Sequence, residues 1–489
     1  IPESVTEASC AAAAAAVNIA SARGSEVTDK KYPAEKNVED EEPRVGVFVC
    51  HCGTNIGSVV DVAAIVEAAR NWDGVVFADQ NLYTCSQDAQ DEMKKKIREH
   101  NINRVVVASC TPRTHEELFQ DTIREAGLNP YLFQMANIRD QCSWVHRDSP
   151  QEATRKAMDI VRMTVAKAAR LYSVRRSRLP LVQKALVIGG GIAGMSAALA
   201  IAEQGFDVFL VEKEAHLGGH LREIYFGFRE EQPQKLLEET VAKINAHPQI
   251  RVFLNSQVEA LAGYVGNFTS RIRAQKHIEE VSHGIVVVAT GAQNDEPNEY
   301  LYGQNENVLT QRELEKALFN QTANPADWKQ VAMIQCVGSR NEEHPWCSRV
   351  CCSEAIRNAL KICQMNPSAQ IFILYRDIRT YGFKEDYLYR KAREKGIIFA
   401  RFEENEPPIV AQEKGRLSVK FYDDILKRQL TLHPDKLVLS AGIVPANNET
   451  VAQLLKVPLG SDGFFVEAHA KLRPVDFAND GIYLCGTAH

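Results

Sequence analysis

Lys184–Leu221 reads KALVIGGGIAGMSAALAIAEQGFDVFLVEKEAHLGGHL, and its parts arrive in the order of a dinucleotide-binding βαβ unit. The apolar run Ala185–Ile188 has the composition of a buried parallel strand, and Gly189, Gly191 and Gly194 follow in the spacing G-x-G-x-x-G. The glycines permit a tight turn and let backbone approach a pyrophosphate. Ile192 and Ala193 stand within the glycine turn, and the Ala-rich segment Met195–Gln204 follows with helical composition. The helix start after the glycines offers free N–H groups and a positive dipole end to that anion. A second apolar run, Phe206–Val211, ends on Glu212, 18 residues beyond Gly194, where a carboxylate accepts hydrogen bonds from a ribose. A lone glycine triad is weak evidence, because glycine turns are common. Strand, turn, helix, strand and acid in sequence are specific.

The continuation selects the nucleotide. Lys213 and the run Gly218-Gly219-His220-Leu221 resemble the second glycine pair of two-dinucleotide flavoproteins, in which FAD is the first nucleotide bound. Gly284–Gly291, GIVVVATG, resembles the strand and turn with which such proteins return to the FAD, at Ala289, Thr290 and Gly291. Near the end, IYLCGTAH (Ile482–His489) resembles their C-terminal glycine turn, at Gly486. With Val258, on a strand further along the domain, these positions form the expected FAD set.

Composition bounds the rest. The chain of 489 residues is long enough for two to four domains, and its apolar content of 45% suits a sizeable core. A net charge of −6 gives no basic footprint, so nucleic acid is not an expected partner. No apolar run reaches the ~20 residues that cross a bilayer. Cys10–Ala16 lacks the basic flank of a signal peptide. Twelve cysteines without a secretion signal predict a reducing, cytoplasmic setting, where clustered thiols are metal ligands or redox groups.

The expected fold class is α/β. Ile1–Ala22 reads as one helix, and 23–43 as a charged linker. Residues 44–150 alternate short strands and helices, as in an open α/β sheet, and carry Cys50, Cys52, Cys85, Cys110 and Cys142. Three of these lie at or near the C-terminal ends of predicted strands, the edge where such sheets bind ligands. Residues 151–182 form a connecting amphipathic helix with Met158, Val161, Val165 and Ala169 on one face. Residues 183–328 and 446–489 form the FAD domain, and 329–445 a second Rossmann-like domain.

In that second domain the turn after the strand Gln330–Gln335 reads CVGSRNEEHPWCSRVCC, with no glycine fingerprint. Cys336, Cys347, Cys351 and Cys352 stand there instead, spaced C-x10-C-x3-C-C. If helical, Cys347 and Cys351 share a face, and Cys352 lies about 100° further round. Four thiolates suit a [4Fe–4S] cluster, although the spacing is not that of ferredoxins; a structural zinc ion, a redox disulfide and ordinary core cysteines remain open. Cys363 reads as a small core hydrophobe, and His51 and His115 as structural.

CHCGTNIGSVVDV (Cys50–Val62), NLYTCS (Asn81–Ser86), VVVASCTPRTHE (Val105–Glu116), NPYLFQMANIRDQCSWVH (Asn129–His146) and the CVGSR…WCSRVCC run resemble the A subunits of heterodisulfide reductases over 44–489. The resemblance implies an FAD- and iron–sulfur-carrying electron-transfer subunit that splits or merges electron pairs at the flavin. It implies partner redox subunits, ferredoxin or hydrogenase-type donors, and a homodimer. It also implies a [4Fe–4S] cluster on Cys336, Cys347, Cys351 and Cys352, and a second on four N-terminal cysteines, favouring Cys50, Cys52, Cys85 and Cys110. In that family a helix like IPESVTEASCAAAAAA follows the CGTAH turn, so the first residues are expected to end a preceding tandem copy. The ferredoxin-type inserts of many members are missing, since Tyr264–Glu279 runs straight through. That leaves a quinone-linked relative as an alternative. Lys384 and Glu385, in YGFKEDYLY, are flavin-tuning candidates. A pyridine-nucleotide-dependent disulfide reductase would need C-x-x-C or C-x4-C beside the flavin and a second glycine fingerprint. Both are missing.

Overall fold

A computed structural model describes residues 2–228, 231–274, 277–423 and 425–489; Ile1 of the expected first helix, and 275–276 of the Tyr264–Glu279 run, lie outside them. The chain divides into two compact units, Gly24–Leu179 and Ile1–Arg23 with Pro180–His489.

The first helix, α1 (Pro2–Asn18), is followed by a 3-10 turn at Ala20–Ala22 rather than continuing through it. It belongs to the larger unit, where Arg23 lies over the Phe206 ring.

In the smaller unit the strands β1 (Val45–Cys50), β2 (Val75–Asn81), β3 (Arg104–Ser109) and β4 (Phe133–Asn137) form one parallel sheet, ordered β2-β1-β3-β4. The helices α2 (Val62–Ala69), α3 (Gln87–Glu99), α4 (Pro112–Glu125) and α5 (Pro150–Ala168) connect or cover it. Strands β1 and β3 are buried from end to end, as the unbroken apolar runs VGVFVC and RVVVAS require of strands covered on both faces. The buried face of α5 is Ala153, Ala157, Val161, Val165 and Ala168, packed on this sheet's core; Met158 and Ala169 sit at its margins. Small residues at that spacing let the helix approach the strands closely.

The larger unit holds two five-stranded parallel sheets. The first comprises β5 (Lys184–Ile188), β6 (Asp207–Val211), β7 (Ile250–Phe253), β11 (Ile285–Val288) and β22 (Ile482–Leu484), ordered β22-β11-β5-β6-β7, with helices α6 (Ile192–Glu203) and α7 (Pro233–Ala246). An antiparallel meander of β8 (Ser256–Tyr264), β9 (Asn267–Ala274) and β10 (His277–His283) is inserted before β11. The second sheet comprises β13 (Val308–Thr310), β14 (Gln330–Val337), β15 (Gln370–Tyr375), β16 (Ile398–Arg401) and β20 (Lys436–Ala441), ordered β13-β20-β14-β15-β16. Helices α8 (Gln311–Phe319), α9 (Cys351–Met365) and α10 (Phe383–Glu394) accompany it. A second meander, β17 (Ile409–Glu413), β18 (Arg416–Asp423) and β19 (Arg428–Leu432), precedes β20. The short pair β12 (Ala292–Asn294) and β21 (Ile443–Pro445) links the sheets, and α11 (Glu449–Leu455) packs under β8. This is the α/β architecture of two-dinucleotide flavoproteins, preceded by an open α/β domain. Among the described residues no helix is long and apolar enough to cross a membrane.

Candidate functional site

Doubly wound sheets bind ligands beyond the carboxyl ends of their strands, where the strand order reverses. In the first sheet of the larger unit that point lies between β5 and β11. Gly189, with φ +112°, leaves β5, and a Cβ there would strike the Ala289 backbone; one on Gly194 would strike the Gly189 carbonyl. A Cβ on Gly191, the N-cap of α6, meets nothing within 4 Å, so the helix N-terminus opens onto free space. Gly219 lies over it, 3.1 Å from the Gly191 Cα measured from a Cβ position, and Gly218 N–H donates to Gly190 O at 2.8 Å. Glu212 is buried at the end of β6, and its carboxylate accepts from Gly190 N–H at 2.6 Å and Glu214 N–H at 2.8 Å. Each oxygen keeps a lone pair for a further donor such as a ribose hydroxyl.

The remaining FAD positions converge in part. Thr290 Oγ1 donates to Asn448 Oδ1 at 3.0 Å, and Gly291 has φ +69°. Strand β22 lies beside β11 and carries Gly486 against Ala193, 2.7 Å between their Cβ positions. Leu221 is buried, and His220 holds the Ala292 carbonyl. Lys213 is half-exposed beside Glu214. Val258 pairs with Ile272 on the inserted meander and packs into the core beneath the sheet. Free space at a helix N-terminus, flanked by glycines that admit no side chain, fits a dinucleotide's pyrophosphate.

The second sheet reverses between β14 and β20, and there the cysteines gather. Cys336 belongs to β14, at a bulge where its φ is +62°, a conformation that costs a non-glycine residue strain and recurs at functional sites. Cys351 and Cys352 begin α9, both buried, and the Cys351 thiol lies 3.7 Å from Ala441 O at the end of β20. Cys347 sits in the loop before α9, so the shared helical face expected for Cys347 and Cys351 does not form: the helix starts only at Cys351. The thiols nonetheless act on one another. Burial raises the pKa of Cys336, Cys351 and Cys352, the last to about 11, and the neighbouring cysteines, Cys347 included, add to each. Arg340 opposes this at Cys336, its guanidinium 3.7 Å from the sulfur and paired with Asp377. Arg340 lies inside the CVGSR run, but nothing in the spacing says that its side chain folds back onto the thiol. Lys384 points to Glu231, as a solvated pair.

In the smaller unit the reversal lies between β1 and β3. Cys50 ends β1, and Cys110 follows β3 directly, just ahead of α4, which starts at Pro112. Cys52 has φ +48° in the turn after β1, and Cys85 precedes α3. Burial raises the Cys52 and Cys85 thiols, Cys50 and Cys110 push both further, and Arg139 opposes at Cys52. Cys142 stands apart, fully buried in the sheet core and pushed up to about 11 by burial, with no other cysteine acting on it. His51 packs over Gly57. Among the described residues no three His, Cys, Asp or Glu side chains are poised around a single metal ion; the cysteines form two sets of neighbouring thiols. Soft sulfur donors in fours, next to Arg340 in one set and Arg139 in the other, match iron–sulfur ligation in chemistry.

The family model described as pyridine nucleotide-disulphide oxidoreductase matches residues 183–334. The second iron-sulfur A subunit of the CoB--CoM heterodisulfide reductase of Methanopyrus kandleri is 36% identical, across 91% of this chain and 82% of its own. The A subunit of the H(2):CoB-CoM heterodisulfide,ferredoxin reductase of Methanothermobacter marburgensis is also 36% identical, across 93% and 83%. The A subunit of the Ferredoxin/F(420)H(2)-dependent CoB-CoM heterodisulfide reductase of Methanosarcina acetivorans is 32% identical, across 91% and 68%. These alignments run to 540–547 positions, more than the 489 residues here, so the relatives carry stretches opposite no residue of this chain. A thioredoxin reductase of T. acidophilum superposes at 15% identity over 63% of this chain and 90% of its own, with a TM-score of 0.43, too slight to add to the sheet order.

Proposed function

Because this chain belongs to the family of heterodisulfide reductase A subunits, an oxidoreductase family, we propose that it takes electron pairs at an FAD and distributes them through two [4Fe–4S] clusters, one on Cys336, Cys347, Cys351 and Cys352, the other on Cys50, Cys52, Cys85 and Cys110. An FAD-dependent electron-transfer role is the common ground of the relatives and of the flavin fold. One observation supports the finer reading above all: cysteines stand at the β14/β20 reversal, where a second nucleotide would bind in this fold.

The residues have separable roles. Gly189, Gly191 and Gly194 clear the approach to α6, whose N–H groups hold the pyrophosphate, and Glu212 holds a ribose and fixes the turn through Gly190. Bound FAD exchanges two electrons, whereas each cluster carries one. Burial raises the Cys52, Cys85, Cys336, Cys351 and Cys352 thiols, so loading a cluster displaces protons from them, and Arg340 beside Cys336 favours the thiolate. The relatives' names bring partners of stated chemistry: a heterodisulfide-reducing complex, ferredoxin, and hydrogen or F420H2 as donors. We assign this chain to such a complex, as a homodimer, with electron pairs split or merged at the flavin.

Stepwise reduction of anaerobic, cofactor-loaded protein by a one-electron donor tests this. Flavin bleaching and cluster reduction, read by visible and EPR spectra, are expected together in the native chain. Cys336→Ser is expected to remove one cluster signal and leave the flavin. Flavin bleaching with no cluster signal in the native protein would overturn the relay.

A further inference from the structure

A cavity of about 250 Å³ lies between the flavin cradle and α8–α9, lined by Glu223 and Asn294 on one side and Arg312, Lys316 and Glu354 on the other. His220, on the glycine-pair loop of the cradle, meets the cavity through Glu223, which lines it. Its Nε2 lies 2.7 Å from Ala292 O, and because a carbonyl only accepts, Nε2 carries the proton of the neutral ring and Nδ1 is its free base. Nδ1 faces Glu223 Oε2 at 3.9 Å, and Asn294 Nδ2 donates to the same carboxylate oxygen at 3.1 Å. His220 therefore ties the Gly218–Leu221 loop to the end of the Ala289–Gly291 turn, and it hands onto a carboxylate that opens into the cavity.

We propose that His220 and Glu223 are the proton-transfer pair of the flavin site, with the cavity as the route to solvent. The proposal rests on the flavin–cluster reading, whose chemistry demands such a pair. Reduced FAD, as FADH⁻, yields FAD, one proton and two electrons; each of two oxidised clusters gains one electron and neither takes the proton. That proton needs a base of pKa near the working pH. The imidazole accepts it at Nδ1, and Glu223 stabilises the imidazolium and relays the proton outward. Pairing with Glu223 raises the imidazole above its ordinary value against burial, the Ala292 carbonyl assists, and Arg312 opposes; Glu223 is lowered, chiefly by His220. Arg312, Lys316, Asp295, Glu296, Glu313 and Glu354 are the charged groups facing the pair across the cavity. Arg312 Nε is engaged 2.7 Å from Glu354 Oε1, off the hydrogen-bonding direction.

The test uses native, His220→Gln and Glu223→Gln chains purified with their cofactors. FAD per chain is measured first; a native chain without FAD would sink the flavin reading itself. Reduced flavin is then reoxidised in a stopped-flow instrument by ferricenium, a one-electron oxidant that takes no proton, across pH. His220→Gln is expected to slow reoxidation about a hundredfold, and added imidazole, entering through the cavity, to restore most of it. In Glu223→Gln the inflection of the pH profile, and the His220 pKa followed by NMR, are expected to fall. Native rate and profile in His220→Gln, or slowing that imidazole does not relieve, would overturn the pair. Should His220→Gln fail to retain FAD, an unshifted profile in Glu223→Gln would overturn it equally.

Discussion

Single residues set the cradle, and their roles divide into those a pattern announces and those it hides. Gly194 leaves no room for a Cβ against Gly189 O, so Gly194→Ala is expected to abolish FAD retention, measured as flavin per purified chain. Glu212→Ala leaves the buried Gly190 N–H without its acceptor, a loss of about 1–3 kcal/mol, and removes a second bond from the exposed Glu214; fluorescence titration is expected to show FAD affinity weakened about tenfold. His283 concerns stability. It is fully buried, accepts from Ser270 at Nε2 (2.8 Å), donates from Nδ1 to Ile285 O (3.0 Å), and burial lowers its pKa from 6.5 to about 4. Below pH 6.5 the unfolded chain binds a proton that the folded chain refuses, so this contribution is complete above pH 6.5 and drains away as pH falls to about 4, by about 3 kcal/mol in all. The apparent melting temperature is expected to fall between pH 7 and 5 more steeply in the native chain than in His283→Gln. Equal slopes would contradict this. The glycines and Glu212 were legible because close approach admits only one residue type, or one charge, at each point. The positive φ of Cys336 and the reach of Arg340 to its sulfur depend on how β14 bulges, and a bulge has no spacing signature.

At the scale of elements, strands and helices followed from periodicity, while their ends moved with local chemistry. Pro112 at the first turn starts α4 just behind Cys110, and α9 begins only at Cys351, which leaves Cys347 in the loop. The cysteine spacing indicated a shared site but could not say that a loop carries one member of it. In the N-terminal unit, the resemblance favoured four of the five cysteines, and the depth of Cys142 in the sheet core separates it from them. Iron analysis on anaerobic variants follows from this separation. Cys110→Ser and Cys336→Ser are each expected to lose about four iron atoms per chain and keep FAD. Cys142→Ser is expected to keep its full iron and melt earlier, because a buried hydroxyl without a partner costs about 1–3 kcal/mol. Iron loss in Cys142→Ser with none in Cys110→Ser would reassign the ligands.

For the whole molecule, three parallel sheets each place their chemistry at a strand-order reversal: β1/β3 with Cys50 and Cys110, β5/β11 with the glycine turns, and β14/β20 with Cys336 and Cys351. One topological rule repeated three times explains why so much of the site could be read along the chain, since each turn there directly follows a buried apolar strand. The cavity and its His220–Glu223 pair escaped that reading, because they depend on the inserted β12/β21 link and on α8, elements remote in sequence from Gly218. Iron, acid-labile sulfide, zinc and FAD per chain, measured on anaerobically purified protein, bear most directly on the electron relay. About eight iron with matching sulfide and one FAD per chain is the expected result. Zinc without sulfide in either cysteine set, or a chain that takes up no flavin, would contradict it.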